Sequence, residues 1–211
     1  MNPSESLWAK DLPLDQQLHA FTVGADRVTD LELLPFDAEG SAAHARMLRG
    51  LGADVREVRV PEDLSGLDGL IIPGGESTTM TLGIERERLA QPLRDFDRPL
   101  FGTCAGLIMF DREHLGIMDI AAQRNAFGRQ VRSFEADLSF AELAGPPLRA
   151  VFIRAPWIAA HGDDVEILAS VEGHAVAARQ GDVLAVAFHP ELGGDTRLHE
   201  RFLAICNGVR G

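Results

Sequence analysis

Residues 100–108 read Leu100-Phe101-Gly102-Thr103-Cys104-Ala105-Gly106-Leu107-Ile108, and this stretch decides the fold. A short apolar strand runs into Gly-x-Cys-x-Gly, and an apolar helix begins directly after it. The pattern is the cysteine counterpart of the Gly-x-Ser-x-Gly nucleophile elbow, which projects its nucleophile from the edge of an α/β sheet. At a helix N-terminus the helix dipole favours the thiolate, the reactive form of cysteine. Cys104 is therefore either a nucleophile or a buried structural cysteine between packing glycines.

Strand and helix patterns alternate on both sides of this elbow. Apolar residues at helical spacing predict a helix over residues 41–51, and residues 78–96 also have a helical pattern. Residues 53–60 alternate like a strand, and residues 68–72 and 99–102 have the short apolar pattern of buried strands. Such alternation predicts an α/β layer built on a mainly parallel sheet.

The second half of the chain has a different pattern. It contains four closely spaced strand patterns with short polar turns between them, at residues 150–154, 165–170, 175–179 and 183–188. Short turns favour antiparallel pairing of these strands, and residues 197–206 return to a helical pattern. We found no long linker or repeat, so we expect residues 1–211 to form one domain.

Composition narrows the classes of function. The 211 residues carry 20 Lys and Arg against 32 Asp and Glu, a formal net charge of −12. An acidic chain repels nucleic-acid phosphates and anionic lipid, so neither a nucleic acid nor a membrane is the expected partner. The chain has two cysteines, which do not make a disulfide framework, and a reducing cytoplasmic compartment is the expected location.

A nucleophilic thiol needs a base, and the base needs an orienting group. The candidate is Phe188-His189-Pro190-Glu191, at the end of an apolar strand. Residues two apart in an extended segment face the same side, so we expect His189 and Glu191 both to face the elbow. The alternative is a surface pair on a strand. The remaining histidines have no such neighbour in the sequence; they are His19, His44, His114, His161, His174 and His199.

A third candidate element is the loop Pro73-Gly74-Gly75-Glu76-Ser77-Thr78 between a buried strand and a helix. Two glycines let the backbone approach a ligand closely and aim its N–H groups at it. The alternative is a helix-capping loop with Ser77 as the cap. The sequence has neither glycine-rich phosphate-binding signature and no cluster with metal-ligand spacing, so we expect no metal site.

These stretches together closely resemble the glutaminase-subunit family of pyridoxal 5'-phosphate synthase, within the class I glutamine amidotransferases. The resemblance runs from about His44 to the C-terminus. It rests on the blocks Pro73-Gly74-Gly75-Glu76-Ser77-Thr78-Thr79-Met80, Phe101-Gly102-Thr103-Cys104-Ala105-Gly106-Leu107-Ile108, Arg124-Asn125-Ala126-Phe127-Gly128-Arg129-Gln130, Ser133-Phe134-Glu135-Ala136-Asp137, Val151-Phe152-Ile153-Arg154-Ala155-Pro156 and Phe188-His189-Pro190-Glu191-Leu192.

The resemblance implies a three-layer α/β fold: a flavodoxin-like, mainly parallel sheet with helices on both faces and an antiparallel extension. It also implies a Cys104–His189–Glu191 triad that hydrolyses L-glutamine to L-glutamate and ammonia. The ammonia would pass to a separate synthase subunit in a hetero-oligomer that makes pyridoxal 5'-phosphate. The glutaminase itself would need no cofactor.

The family match also assigns binding residues. The backbone N–H groups of Gly75 and Ala105 would form the oxyanion hole. Contacts with L-glutamine are assigned to Gly75, Glu76, Ser77, Arg124, Ile153 and Arg154. A guanidinium fork suits the carboxylate of an amino acid, although without the family match a structural or surface ion pair is the preferred interpretation of Arg124 and Arg154.

The sequence departs from the family pattern at two places. The Gln-Gly turn that precedes the His44 helix in the family is absent, and residues 36–40 stand in its place, with Asp37 and Glu39 as possible negative charges near the oxyanion. The helix after Cys104 is also shortened to about two turns. The first departure favours an alternative, a catalytically impaired regulatory homologue of the same fold; a third possibility is an independent thiol hydrolase.

Overall fold

The computed structural model describes residues 21–24, 29–33, 38–124 and 133–208. The helices in this part of the chain are α1 (Ala38–Gly50), α2 (Ser77–Arg86), α3 (Ala90–Arg94), α4 (Ala105–Phe110) and α5 (Arg197–Cys206). The strands are β1 (Phe21–Gly24), β2 (Thr29–Leu33), β3 (Asp54–Arg56), β4 (Gly69–Ile72), β5 (Leu100–Thr103), β6 (Ile120–Gln123), β7 (Ser133–Leu138), β8 (Leu148–Ile153), β9 (Trp157–His161), β10 (Glu166–Val171), β11 (His174–Gln180) and β12 (Val183–Val186). Pro61–Leu64 and Pro190–Leu192 are short 3₁₀ turns.

The centre of the main sheet is parallel, as the alternation of strands and helices predicts. Its order is β1-β2-β4-β5-β12-β11-β9-β6, with β3 beside β2 and β10 beside β11. Strands β2, β4, β5 and β12 pair in parallel, and every residue of β4 and β5 is buried. Buried parallel strands read as continuous apolar runs, which is why these strands were visible in the sequence.

Helices cover both faces of this sheet. Adjacent residues of a strand point to opposite faces, and on β5 Phe101 packs against Phe202 of α5 with ring centroids 5.5 Å apart. On the other face, a Cβ added to Gly102 would lie 2.7 Å from the ring of Phe110 in α4. The expected three-layer α/β fold is confirmed.

The antiparallel extension is also present, with one correction. Strands β10, β11 and β12 pair antiparallel in sequence order. The fourth predicted member, β8, instead pairs with β7 in a separate two-stranded sheet. The pairing of β8 is antiparallel, as expected, but its partner is β7, a strand whose residues alternate between exposed and half-buried up to the buried Leu138.

Two further expectations need correction. The strand expected over residues 53–60 is limited to β3, because Pro61 begins a 3₁₀ turn shortly after it. The single helix expected over residues 78–96 is two helices, α2 and α3, with Arg88 in the left-handed region at φ 58° between them. Pro92 lies in the first turn of α3, a position where a missing backbone N–H costs little.

The amino-terminal part of the chain was the hardest to predict. Its described residues form the antiparallel pair β1 and β2, and β2 joins β4 in the parallel core. Helix α1 begins at Ala38, so residues 38–40 belong to its first turn and not to a loop; Asp37 lies outside the described residues.

Across the described ranges, none of the helices has the length and apolar character needed to cross a membrane.

Candidate active site

Three central parallel strands end at the same edge of the sheet, and each leads directly into a predicted site segment. Ile72 at the end of β4 pairs with Gly102 of β5, and Val186 at the end of β12 pairs with Thr103. In open α/β sheets, ligands bind in the crevice outside the carboxyl ends of the strands. The Gly-Gly loop, Cys104 and His189 therefore meet at one edge of the sheet.

Cys104 adopts the strained backbone of a nucleophile elbow. Its φ of 49° and ψ of −105° lie outside the regions that L-residues favour. Its backbone N–H donates to the carbonyl of Val186 at 2.8 Å, and α4 begins at the next residue. The turn needs Gly106, because a Cβ there would lie 1.9 Å from the carbonyl oxygen of Ile72.

The short helix after the elbow is held firmly by its surroundings. All six residues of α4 are buried, and the helix packs on β4, β5 and β12. A helix this short is marginal in isolation, so tertiary packing supplies its stability. The reduced length expected from the sequence is present, and burial compensates for it.

The imidazole of His189 lies beside Cys104 across Gly74. A Cβ added to Gly74 would be 2.5 Å from Cε1 of His189 and 3.3 Å from Cβ of Cys104, so this glycine leaves space for both. Burial disfavours a charged ring at His189, but hydrogen bonds with Cys104 and Glu191 outweigh it and raise its pKa to about 10. An imidazolium next to a sulfur is the arrangement that favours a thiolate nucleophile.

Glu191 holds the other nitrogen of this ring. Its Oε1 lies 2.7 Å from Nδ1 of His189, and both side chains are buried. The expectation that both residues lie on one face of a strand is wrong, because His189 precedes the Pro190–Leu192 turn and Glu191 lies within that turn. Burial raises the pKa of Glu191, but the charges and hydrogen bonds of His44 and His189 outweigh it and hold that pKa far below its usual range.

Two histidines that sequence reasoning set aside lie behind Glu191. Nε2 of His44 is 3.1 Å from Oε2 of Glu191, and Nδ1 of His44 is 2.8 Å from Nε2 of His199. Both histidines are fully buried. The only available signal was a histidine on the buried face of each helix, which by itself does not distinguish a site from the core.

A cavity of about 220 Å³ opens in front of Cys104 and His189. Its lining includes Gly75, Glu76, Ser77, Cys104, Ala105, Ile108, Arg124, Ile153, Arg154, Pro156 and His189. The structure thus brings together every residue proposed for catalysis, the oxyanion hole or substrate contact, apart from Glu191, which lies behind the His189 ring. Residues 125–130 of the arginine block lie outside the described residues.

Within the cavity, the Gly-Gly loop ends in the cap of α2. The cap is Glu76 and not Ser77 as the alternative proposed, because the Glu76 carboxylate accepts from the backbone N–H groups of Thr78 and Thr79. Burial raises the pKa of Glu76, but these hydrogen bonds more than offset it and lower that pKa. Ser77 instead accepts a hydrogen bond from the guanidinium of Arg124.

The second arginine comes from the end of β8. Arg154 has φ 45°, an uncommon left-handed conformation for a residue other than glycine, and its side chain is exposed. The carbonyl of the preceding residue, Ile153, lies 3.9 Å from the sulfur of Cys104. The cavity therefore has two arginines at its rim and a thiol at its base.

Among the described residues, no group of three or more His, Cys, Asp or Glu side chains is arranged to hold a metal ion.

Comparison with known proteins gives consistent matches. The model of the SNO glutamine amidotransferase family matches residues 39–208. Pyridoxal 5'-phosphate synthase subunit PdxT of Rhodococcus opacus (strain B4) is 49% identical, covering 79% of this chain and 92% of that protein. The PdxT of Geobacillus kaustophilus (strain HTA426) is 50% identical, covering 76% and 86%. A crystal structure of a glutamine amidotransferase is 42% identical with a TM-score of 0.72, covering 79% and 93% of the two chains.

Proposed function

The chain belongs to the SNO glutamine amidotransferase family, and on that premise we propose that Cys104, His189 and Glu191 are its catalytic triad. The chain is a glutamine amidotransferase that supplies ammonia for pyridoxal 5'-phosphate synthesis. The observation that supports the triad is the strained elbow at Cys104 with the His189–Glu191 pair beside it. The matches do not favour the impaired regulatory homologue.

In the proposed reaction, the Cys104 sulfur attacks the side-chain amide carbon of L-glutamine. His189, whose pKa is raised to about 10, carries the proton of the thiol and gives it to the amide nitrogen as the C–N bond breaks. Ammonia leaves, and a glutamyl thioester remains on Cys104. Water then attacks the thioester with His189 as the base, releasing L-glutamate and restoring the thiol.

The negative oxygen of each tetrahedral intermediate needs donors that are already in place. The N–H of Ala105 is at the first position of α4, where a helix leaves its backbone donors unpaired. Gly75 lies across the same cavity with φ 147°, a conformation that glycine adopts readily. We assign the oxyanion hole to these two groups; loss of one such donor costs about 3–4 kcal/mol in other enzymes.

Charge in the cavity suits an amino-acid substrate. Arg124 and Arg154 would bind the α-carboxylate, because a guanidinium fork matches its two oxygens. Glu76, with its lowered pKa, remains ionised and would attract the α-ammonium. The contacts with Ser77, Gly75 and Ile153 complete the proposed glutamine site.

We assign the ammonia acceptor to a synthase subunit in a hetero-oligomer, as the names of the relatives indicate. Two large apolar side chains near the cavity support a docked partner. Ile153 lines the cavity and is 37% exposed, and Leu192 in the turn after His189 is 51% exposed. A partner that covers this edge would bury both and exclude bulk water from the intermediate.

The test is release of glutamate from L-glutamine by the full chain, alone and mixed with the synthase subunit. Cys104→Ala should abolish turnover and leave the melting temperature nearly unchanged. Cys206→Ala is the matched control, because burial raises the pKa of the Cys206 thiol and its sulfur packs near Gly69, at the other end of β4. Turnover by Cys104→Ala at the wild-type rate would disprove the triad.

A further inference from the structure

Behind the proposed triad lies a buried line of polar groups that joins four separate segments. Glu191 is in the turn after β12, His44 is in α1, His199 is in α5 and Thr103 ends β5. All four are buried in the protein interior, His44, His199 and Thr103 with no exposed surface. Buried polar groups lower the stability of the fold unless each has a hydrogen-bond partner, so the position of each proton along the line matters.

The unpaired atom at the end of the line sets the direction of the hydrogen bonds. Nδ1 of His199 has no hydrogen-bond partner among the described residues. A buried N–H without an acceptor is rarer in proteins than a bare acceptor, so this nitrogen is the one without a proton. Burial lowers the pKa of His199 to about 3, so the ring is neutral and its proton is on Nε2.

The remaining protons follow from that assignment. Nε2–H of His199 donates to Nδ1 of His44 across 2.8 Å. Nδ1 of His44 is then an acceptor, so the proton of that ring is on Nε2, which faces Oε2 of Glu191 at 3.1 Å and Oγ1 of Thr103 at 3.3 Å. Oε1 of Glu191 accepts from Nδ1–H of His189 at 2.7 Å.

Without His44, one oxygen of the carboxylate would have nothing to face. Oε2 of Glu191 is buried and accepts no hydrogen bond of ordinary geometry from the described residues; the polar group that approaches it is Nε2 of His44. A buried carboxylate oxygen without a donor loses its hydration and gains nothing in return. It would turn toward another donor and draw Oε1 away from His189.

We propose that His44 is a positioning residue for glutamine hydrolysis, that it orients the Glu191 carboxylate through the 3.1 Å contact between its Nε2–H and Oε2, and that His199 fixes the tautomer of His44 that can do so. The proposal rests on the proposed triad, and neither histidine touches the cavity. Its role is to keep Glu191 ionised and aimed at His189, so that the His189 ring presents Nε2 to the Cys104 sulfur.

A positioning role predicts a specific kinetic change. His44→Leu should lower kcat by about 10–100-fold, the range found when the hydrogen-bond partner behind a metal-binding residue is removed. The KM for L-glutamine should change less than about twofold, because His44 makes no substrate contact. Removing the donor also raises the pKa of Glu191 from its far-lowered position, so the acid limb of the kcat–pH profile should move to higher pH.

The groups that face Glu191 determine this pH readout. They are His189 on its own turn, His44 from α1 and the neutral hydroxyl of Thr103 from β5, with His199 of α5 behind His44. In His44→Leu the donor from α1 to Glu191 is lost, together with the acceptor that Nδ1 of His44 offers to Nε2–H of His199. A role limited to packing would change the melting temperature and leave the acid limb where it was.

Two amides separate positioning from packing even if the leucine variant does not fold. In His44→Gln the amide nitrogen takes the place of ring Nε2 and can donate to Glu191; in His44→Asn it takes the place of ring Nδ1 and falls short. The glutamine variant should recover about tenfold in kcat over the asparagine variant, a difference worth one hydrogen bond to a charged group. Equal kcat values for the two amides would overturn the proposal.

Two controls keep this test distinct from the test of the triad. Phe202→Leu loosens α5 one turn from His199 without removing a polar group, and it should lower the melting temperature and leave kcat and its pH profile unchanged. Cys104→Ala should lose nearly all activity; turnover there at the wild-type rate would refute the triad itself. Wild-type kcat in a folded His44→Leu, or the same kcat loss in Phe202→Leu, would refute the role of His44 alone.

Discussion

Gly106→Ala is the smallest change that should disable the elbow. The added Cβ would lie 1.9 Å from the carbonyl oxygen of Ile72 and 2.8 Å from its carbon. Both atoms are backbone atoms of β4, so neither can rotate away. An ordinary contact begins at 3.4 Å, so α4 and β4 must separate by about 1.5 Å, the difference between 3.4 and 1.9 Å.

That displacement acts on both sides of the reaction. Helix α4 carries the Ala105 N–H and follows Cys104, and β4 leads into the loop with Gly75. A misplacement of about 1 Å can cost about 10²-fold in rate, and overpacking a core costs about 1–3 kcal/mol. We expect kcat/KM for L-glutamine to fall at least about 10²-fold, and each kcal/mol lost to lower the melting temperature by about 2–4 °C.

The assay is glutamate release with the synthase subunit, together with thermal unfolding. Gly50→Ala is the matched control, because Gly50 is the last residue of α1 and an added Cβ there meets nothing within 4 Å. The control should retain full activity and gain a few tenths of a kcal/mol up to about 1 kcal/mol in stability. Normal turnover and an unchanged melting temperature in Gly106→Ala would refute the close approach of α4 and β4.

Two further predictions concern charge. His189→Asn should cost about 10⁶-fold in kcat and Glu191→Gln about 10⁴-fold, the losses found on removing the base and the orienting carboxylate of a comparable triad; small and equal losses in steady-state kinetics would show that neither residue is catalytic. The second prediction uses His199, whose pKa is lowered from 6.5 to about 3. The unfolded chain takes up a proton below pH 6.5 that the folded chain refuses, so stability falls as the pH drops through that value. From pH 7 to 5, wild type should lose about 2 kcal/mol more of its unfolding free energy than His199→Gln; parallel curves from urea unfolding would contradict the buried neutral ring.

The part of the site that could be predicted from sequence is the part encoded by local chemistry. The elbow at Cys104 needs small residues on both sides, and Gly102 and Gly106 are adjacent to it in the chain. The apolar runs of β4 and β5 are equally local, since a strand buried on both faces has no polar alternation. Helix α5 was predicted at Arg197–Cys206 and is found there.

The contacts that could not be predicted join distant segments. His44 and Glu191 are 147 positions apart, and their contact depends on α1 docking against the turn after β12. No periodicity in either segment contains that information, because a buried histidine has the same spacing as an apolar core residue. The break between α2 and α3 at Arg88 was missed for a different reason. Pro92 is a signal of a helix start, but the helical pattern of residues 78–96 suggested one continuous helix.

The contact between His189 and Glu191 is present, but the backbone conformation expected for it is wrong, and the difference bears on the roles proposed for the two residues. On a strand, His189 and Glu191 would both face the cavity, and the carboxylate would compete with the thiol for substrate. The turn that begins at Pro190 instead carries Glu191 behind the ring, where it is only 7% exposed and lies against His44. A carboxylate in that position cannot reach the substrate, so in the proposed reaction its effect must pass through the imidazole of His189.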